Sequence, residues 1–154
     1  MTHEPISPPT VKSIDPRALP PYVSNGVLGL RLAWPGRDGG TTIVNGFAGL
    51  DPTDGVEGFA RAPFALAADV ELDGVRASVA PGACRLIEQR HDFATGELTT
   101  IWTFRVGDTT ATVEVLVYAA RGLPSIAVQE LAVTTDRAAD LALSAGVDQS
   151  DVPG

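Results

Sequence analysis

The side chains of this chain that can exchange protons are mostly carboxylates. Its 154 residues include nineteen Asp and Glu residues, two His residues and one Cys residue. Cleavage of a glycosidic bond needs two carboxyl groups a few ångström apart, one of them acting as an acid. The carboxylates on the polar phase of predicted strands are Asp69, Glu71, Glu97 and Glu114. We interpret them as a solvated sheet face and predict no catalytic residue in this chain.

The other reactive side chains are isolated along the sequence. His91 precedes Asp92, but no Gly-x-Ser-x-Gly nucleophile turn is present, and His3 lies in a Pro-rich segment. We predict that His91 is a strand or turn residue with local hydrogen bonds. Cys84 precedes an apolar strand, which favours a buried, unreactive thiol. A single Cys excludes an intrachain disulfide, and the donors do not have metal-ligand spacing, so we predict neither metal nor cofactor.

Aromatic side chains are the second kind of candidate, because their large apolar faces can stack on sugar rings. The rings considered are Tyr22, Trp34, Phe47, Phe59, Phe64 and Trp102. Trp102 and Phe104 share the apolar phase of one predicted strand, which favours the core. Phe59 and Phe64 flank a region without clear periodicity, where a binding role is more plausible than elsewhere.

Composition excludes several classes of protein. The formal charge is −8 with no basic stripe, which disfavours nucleic acid and anionic membranes. No run approaches the roughly 18 apolar residues of a membrane span, and the N-terminal residues do not have the pattern of a signal peptide. We therefore expect a cytoplasmic protein with one domain.

Turn signals and alternation predict the elements that position these residues. Residues 1–20 form a Pro-rich arm, and residues 21–154 form the domain, which begins with a turn at Asn25-Gly26. The predicted strands are Val27–Trp34, Thr41–Phe47, Ala68–Asp73, Val75–Val79, Arg85–Phe93, Leu98–Val106, Thr109–Ala120, Ile126–Thr134 and Leu141–Val147. Gly49–Pro63 is predicted as a long loop. These about nine short strands predict an all-β, antiparallel super-sandwich of two packed sheets, with the sandwich left incomplete.

Four segments resemble glycoside hydrolase family 65. Leu19–Arg31 is similar to the entry strand of that family, which carries an Asn-Gly-Tyr-Leu-Gly-x-Arg run. Val44–Gly49, Gln89–Leu98 and Ala120–Ser125 resemble later segments in the same order, and the likeness spans Leu19 to Val147. Val27 departs from the pattern, because the family usually has an aromatic residue there. The Val-Asn-Gly and Arg-x-Leu-Pro turns look closer to the trehalase and glucosidase branch than to the phosphorylases.

The resemblance implies part of an inverting α-glucoside hydrolase or phosphorylase. In this family a helical (α/α)₆ barrel that follows the sandwich holds the catalytic glutamate, and nothing here matches that barrel. We therefore expect 1–154 to be the first part of a larger enzyme, a gene fragment or a split subunit, inactive alone. Its implied ligands are an α-linked glucosyl saccharide such as trehalose or maltose, bound by the missing domain, and inorganic phosphate in a phosphorylase.

Two rivals remain open beside this interpretation: a stand-alone carbohydrate-binding module and a structural β-sandwich without a ligand. The candidates for substrate binding are Asn25, Arg31, Asn45 and Phe59. We also predict that Arg31 is partly buried and paired. If the sandwich is incomplete, its late strands lack neighbours, and we expect a homodimer or self-association.

Overall fold

The computed structural model describes residues 10–11, 21–32, 40–50, 54–150 and 152. Trp34 and most of the predicted arm at 1–20 lie outside this part. The described strands are β1 (Thr10–Val11), β2 (Tyr22–Ser24), β3 (Leu28–Arg31), β4 (Thr41–Leu50), β5 (Glu57–Ala62), β6 (Phe64–Leu72), β7 (Val75–Arg76), β8 (Cys84–Asp92), β9 (Glu97–Val106), β10 (Thr109–Ala119), β11 (Ala127–Thr135) and β12 (Leu141–Asp148). Two 3₁₀ turns, Ala77–Val79 and Pro81–Ala83, separate β7 from β8.

The strands form two layers, and every described strand pairing is antiparallel. One layer is a five-stranded sheet in the order β1-β8-β9-β10-β11. The other layer is divided into a four-stranded sheet, β2-β3-β4-β5, and a three-stranded sheet, β12-β6-β7. Pro63, which has no backbone N–H, lies between β5 and β6, where one sheet gives way to the other. The predicted all-β sandwich is confirmed, although its second layer consists of two sheets.

The core lies between these layers and follows strand alternation. In β9, Leu98, Thr100, Trp102 and Phe104 are buried while the residues between them are partly exposed. Trp102 and Phe104 pack with residues of β6 and β10 in the largest apolar cluster. The predicted core role of both rings is confirmed. Phe64 is also buried, against Leu30 and Val117, so it is not available as a binding ring.

Turns between the strands lie where turn residues predicted them. Asp73 and Gly74, with φ of 49° and 79°, link β6 to β7, since both residue types tolerate the left-handed region. Gly96, at φ 80°, and Gly107, at φ 55°, lie in the turns that precede β9 and β10. β1, β2 and β5 are strands that the sequence did not predict, and β1 adds the arm residues Thr10–Val11 to the edge of β8.

Two predictions about local structure are wrong. The predicted loop Gly49–Pro63 contains the end of β4 and all of β5, which pair from Ala48↔Phe59 to Leu50↔Glu57. We call residues 47–50 and 56–59 the hairpin arm. Neither face of the arm is buried, so its sequence has no alternation to detect. The predicted strand Val75–Val79 ends at Arg76, because Ala77–Val79 turns as a 3₁₀ helix.

β12 is an edge strand with little cover. It pairs only with β6, at the edge of the described three-stranded sheet β12-β6-β7. Leu143 and Val147 of β12 are 50% and 66% exposed. In the described part of the chain, no helix has the length and apolar character needed to cross a membrane.

Candidate functional site

The turn at Asn25-Gly26 is built by local hydrogen bonds. The Asn25 Oδ1 atom accepts from the N–H groups of Val27 and Leu28 at 3.0 and 2.9 Å. Ser24 Oγ accepts from the Gly26 N–H at 3.1 Å. Gly26 has a φ of 91°, which lies in the left-handed region that favours glycine, so the predicted turn at Asn25-Gly26 is confirmed.

The same Asn25 side chain links this turn to the connection between β10 and β11. Its Nδ2 atom donates to the carbonyl oxygens of Ala120 at 2.8 Å and of Pro124 at 3.0 Å. That connection is itself closed by a hydrogen bond from the Ile126 N–H to the Leu123 carbonyl at 2.9 Å. All four hydrogen-bonding positions of the Asn25 amide are therefore occupied within the protein.

Asn45 in β4 also makes hydrogen bonds to the turn at Asn25-Gly26. Its backbone N–H donates to the Val27 carbonyl at 2.8 Å, and its Nδ2 atom donates to the Gly26 carbonyl at 3.0 Å. Gly46, at φ 89°, follows it in an irregular part of β4 where the register with β5 shifts. Asn45 thus ties β4 to the turn between β2 and β3.

The fourth segment that resembles family 65, Ala120–Ser125, contacts the turn between β8 and β9 through Arg121. A Cβ atom at Gly96 would lie 3.4 Å from Arg121 Nη2, so the guanidinium lies beside the turn between β8 and β9. That turn is closed by Asp92, whose Oδ1 atom accepts from the Ala94 N–H at 2.8 Å. We call Asn25, Asn45, Gly96 and the 120–124 connection the Asn25 cluster, which lies at one end of the sandwich.

Arg31 is not part of this cluster, and the prediction about its burial is wrong. It lies at the end of β3, paired with Tyr22 and Thr41, and its side chain is exposed. Alternation explains this, because Leu30 points into the core and Arg31 therefore points away from it. Within the described residues no ion pair of Arg31 is found.

The hairpin arm carries the exposed aromatic candidate. Phe59 is 71% exposed and lies directly opposite Ala48, diagonal to Leu50, which is also 71% exposed. Phe47 is 65% exposed on the same arm. Because these side chains project from a two-stranded ribbon, Leu50 and Phe59 form an exposed apolar surface on one face of the arm, and strand alternation places Phe47 on the other face.

The surroundings of Cys84 and His91 favour structural roles for both side chains. Burial raises the pKa of the half-buried Cys84 thiol to about 11, and the nearby charge of Asp69 adds to this rise. Cys84 is half-buried, so the prediction of a buried thiol is wrong, while the raised pKa is typical of a thiol that is unreactive at neutral pH. His91 lies in β8 with its ring centroid 4.4 Å from that of Phe93, and partial burial lowers its pKa although Asp92 acts against the shift.

The carboxylates on the strands also serve local structure. Asp69 accepts hydrogen bonds from the Ser78 Oγ atom at 2.6 Å and from the Ser78 N–H at 3.1 Å. Glu71 pairs with Arg76 at 3.1 Å across β6 and β7. Glu114 is exposed. In the described ranges no group of three or more His, Cys, Asp and Glu side chains is arranged to hold a metal ion.

A small open pocket lies where β4, β5 and β6 meet the end of β12, away from the Asn25 cluster. Arg61 and Asp148 are its charged lining residues, and Phe64 forms its apolar wall. The pKa of Asp148 is lowered because the backbone and side chain of Ser150 donate to its carboxylate. None of the four predicted substrate-binding residues lines this pocket.

No known protein-family model matches this chain, and no curated protein is significantly similar to it. The resemblance therefore depends on the four segments alone. Sequence reasoning selected Asn25 and Asn45, and the structure brings these two together. It missed the contacts of Asn25 with Ala120 and Pro124, since turn signals do not indicate which distant carbonyls complete a turn.

Proposed function

We propose that this chain is a non-catalytic, N-terminal β-sandwich domain of an inverting α-glucoside hydrolase or phosphorylase that resembles family 65. The observation that carries the proposal is the Asn25 cluster. Its segments lie up to 99 residues apart in sequence, yet they meet through hydrogen bonds and one close approach. Four weak turn motifs that share one site are better evidence of a common architecture than four scattered ones.

In such an enzyme the reaction occurs on a helical catalytic domain. There a glutamate protonates the glycosidic oxygen, while water or phosphate attacks the opposite face of the sugar, which inverts the anomeric centre. The β-sandwich supports that domain and shapes the entrance to its site. We also propose cytoplasmic localisation and dimerisation through the sandwich.

The exposed apolar surfaces are consistent with a supporting role. Phe59 and Leu50 on the hairpin arm, and Val147 on β12, are each more than 60% exposed. Adjacent exposed apolar side chains such as Phe59 and Leu50 commonly mark surfaces that another domain or chain covers. A domain that binds a helical barrel needs such a surface.

Two measurements test the proposal, the DNA sequence downstream of this chain and assays of glycoside cleavage. We expect DNA downstream of the codon for Gly154 to encode a helical domain, and the joined protein to cleave trehalose, maltose or kojibiose, with or without phosphate. The isolated chain should show no turnover with any of them. Turnover by the isolated chain that is lost in Glu97→Gln or Asp69→Asn would contradict the proposal, as would downstream DNA without such a domain.

A carbohydrate-binding module is the second candidate, and the exposed rings of Phe47 and Phe59 favour it. It predicts that the isolated chain binds soluble α-glucans measurably in calorimetry. Phe59→Ala should abolish that binding. Phe93→Ala is the matched control, because Phe93 is 67% exposed but lies in the turn between β8 and β9. Absence of binding by the unmodified chain excludes this candidate.

A further inference from the structure

The chain contains two Asn-Gly pairs, and their surroundings differ. In an Asn-Gly pair the glycine has no Cβ atom to hinder its backbone nitrogen from approaching the asparagine side chain. Such pairs can form a cyclic imide, provided that the side chain can leave its hydrogen bonds and rotate. Asn25-Gly26 and Asn45-Gly46 are identical in sequence, so any difference between them comes from the fold.

In Asn25-Gly26, hydrogen bonds hold every group that would take part in imide formation. The Asn25 amide makes four hydrogen bonds, two through Oδ1 and two through Nδ2. The Gly26 N–H, which would supply the attacking nitrogen, donates to Ser24 Oγ. The side chain is also half-buried. Reaction would require all five hydrogen bonds to break.

Asn45-Gly46 is held much more weakly. Asn45 is exposed, and its side chain makes one hydrogen bond among the described residues, from Nδ2 to the Gly26 carbonyl. The pair lies between Ile43 and Ala48, where the register with β5 shifts, so the ladder does not hold the Gly46 nitrogen against β5. Breaking one hydrogen bond frees the Asn45 side chain.

We propose that Asn45 is a site of spontaneous deamidation in the folded protein and that the fold protects Asn25. The Gly46 nitrogen attacks Asn45 Cγ, so that an N–Cγ bond forms and the Cγ–Nδ2 bond breaks. The Gly46 proton is lost to solvent, and Nδ2 leaves as ammonia after it takes up a proton. Water then opens the imide to aspartate or isoaspartate. No other reactant is needed.

The product changes the Asn25 cluster. A carboxylate at position 45 cannot donate to the Gly26 carbonyl, and it places a negative charge beside that oxygen. The chain already carries a formal charge of −8, so the modification also adds to its net negative charge. Deamidation would therefore remove the side-chain link between β4 and the turn between β2 and β3 and leave the backbone bond from the Asn45 N–H to the Val27 carbonyl.

Peptide mapping by mass spectrometry tests the proposal. The folded chain is incubated in mildly alkaline buffer, and amide-to-acid conversion is followed separately at Asn25 and Asn45. We expect Asn45 to react at least about tenfold faster, because four more hydrogen bonds must break at Asn25. In denaturant the two rates should converge, which shows that the fold sets the difference.

Two further variants make the result decisive. Ser24→Ala frees the Gly26 N–H and should accelerate reaction at Asn25 without changing the rate at Asn45. Because the bond from Asn45 Nδ2 to the Gly26 carbonyl is lost on deamidation, the incubated protein should have a lowered thermal midpoint, and Asn45→Asp should reproduce that decrease. Equal rates at both sites in the folded chain would overturn the proposal, as would faster reaction at Asn25 or an unreactive Asn45 beside a reactive denatured control.

Discussion

The Nδ2 atom of Asn25 donates a hydrogen bond to the backbone carbonyl of Pro124, 99 residues later in the chain, at 3.0 Å. This contact joins the first turn of the second layer to the connection between β10 and β11 in the first layer. Two turns on opposite layers are thereby held in one arrangement, which makes Asn25 the most informative residue for mutation.

Asn25→Ala should lower the free energy of unfolding by about 2–4 kcal/mol, because it removes four hydrogen bonds and leaves the partly buried Ala120 carbonyl without this donor. Asn45→Ala is the matched control and should cost about 1 kcal/mol, since its side chain makes one such bond. Urea denaturation measures both variants. Equal midpoints for the two would show that the contacts with 120–124 carry no stability.

Gly26→Val should destabilise the fold by about 1–3 kcal/mol, because a β-branched residue is strained at a φ of 91°. Gly82→Ala serves as the control. It lies in a 3₁₀ turn with open space around its Cβ position and without a positive φ. An unchanged denaturation midpoint for Gly26→Val would mean that this turn is not needed for stability.

Two glycines beneath aromatic rings should respond differently to alanine. The Phe64 ring lies over Gly40 and is buried, whereas the Tyr22 ring lies over Gly29 and is 48% exposed. Gly40→Ala should cost about 1–3 kcal/mol, since the buried ring cannot move away. Gly29→Ala should cost less, because Tyr22 can rotate into solvent. Thermal unfolding compares the two, and a larger loss for Gly29→Ala would contradict this account.

Cys84 should be unreactive toward thiol reagents at neutral pH in the folded chain and reactive in denaturant. Its folded pKa of about 11 lies above the ordinary thiol value of 9.0, so the neutral thiol favours the folded state. That contribution is complete below pH 9.0 and is lost as the pH rises toward about 11. Asp69→Asn should lower the pKa, and rapid labelling of the native protein at neutral pH would contradict the assignment.

The uncovered edge of β12 should promote self-association of the isolated chain. Residues 141–147 carry no charge, and neutral edge strands offer unpaired backbone groups to another chain. Leu143→Lys should shift light scattering toward the monomer. Glu130→Gln, on the edge strand β11 of the five-stranded sheet, changes the net charge by the same amount and is the charge-matched comparison. A monodisperse, cooperatively unfolding monomer of the unmodified chain at high micromolar concentration would contradict the prediction.

The sequence by itself determined the strands with one buried face and the turns between them. β9 and β10 alternate because one of their faces is in the core, and Asp73-Gly74 forms a tight turn because both residues adopt positive φ. These are local properties of the chain. Asn25 and Asn45 were selected for the same local reason, as turn residues.

Only the tertiary structure decided which distant segments contact each other and which segments without hydrophobic alternation form strands. The hairpin arm has two exposed faces, so no hydrophobic alternation indicated β5. The number of predicted strands also did not indicate that the second layer is divided into two sheets. Asn25 contacts Ala120 and Pro124, and Arg121 lies beside Gly96. These contacts connect distant turns, and the residues of each turn could form equivalent contacts with many other partners. Turn chemistry sets backbone angles within a few residues, whereas the partner of an outward-pointing amide depends on which distant strands the core brings beside it.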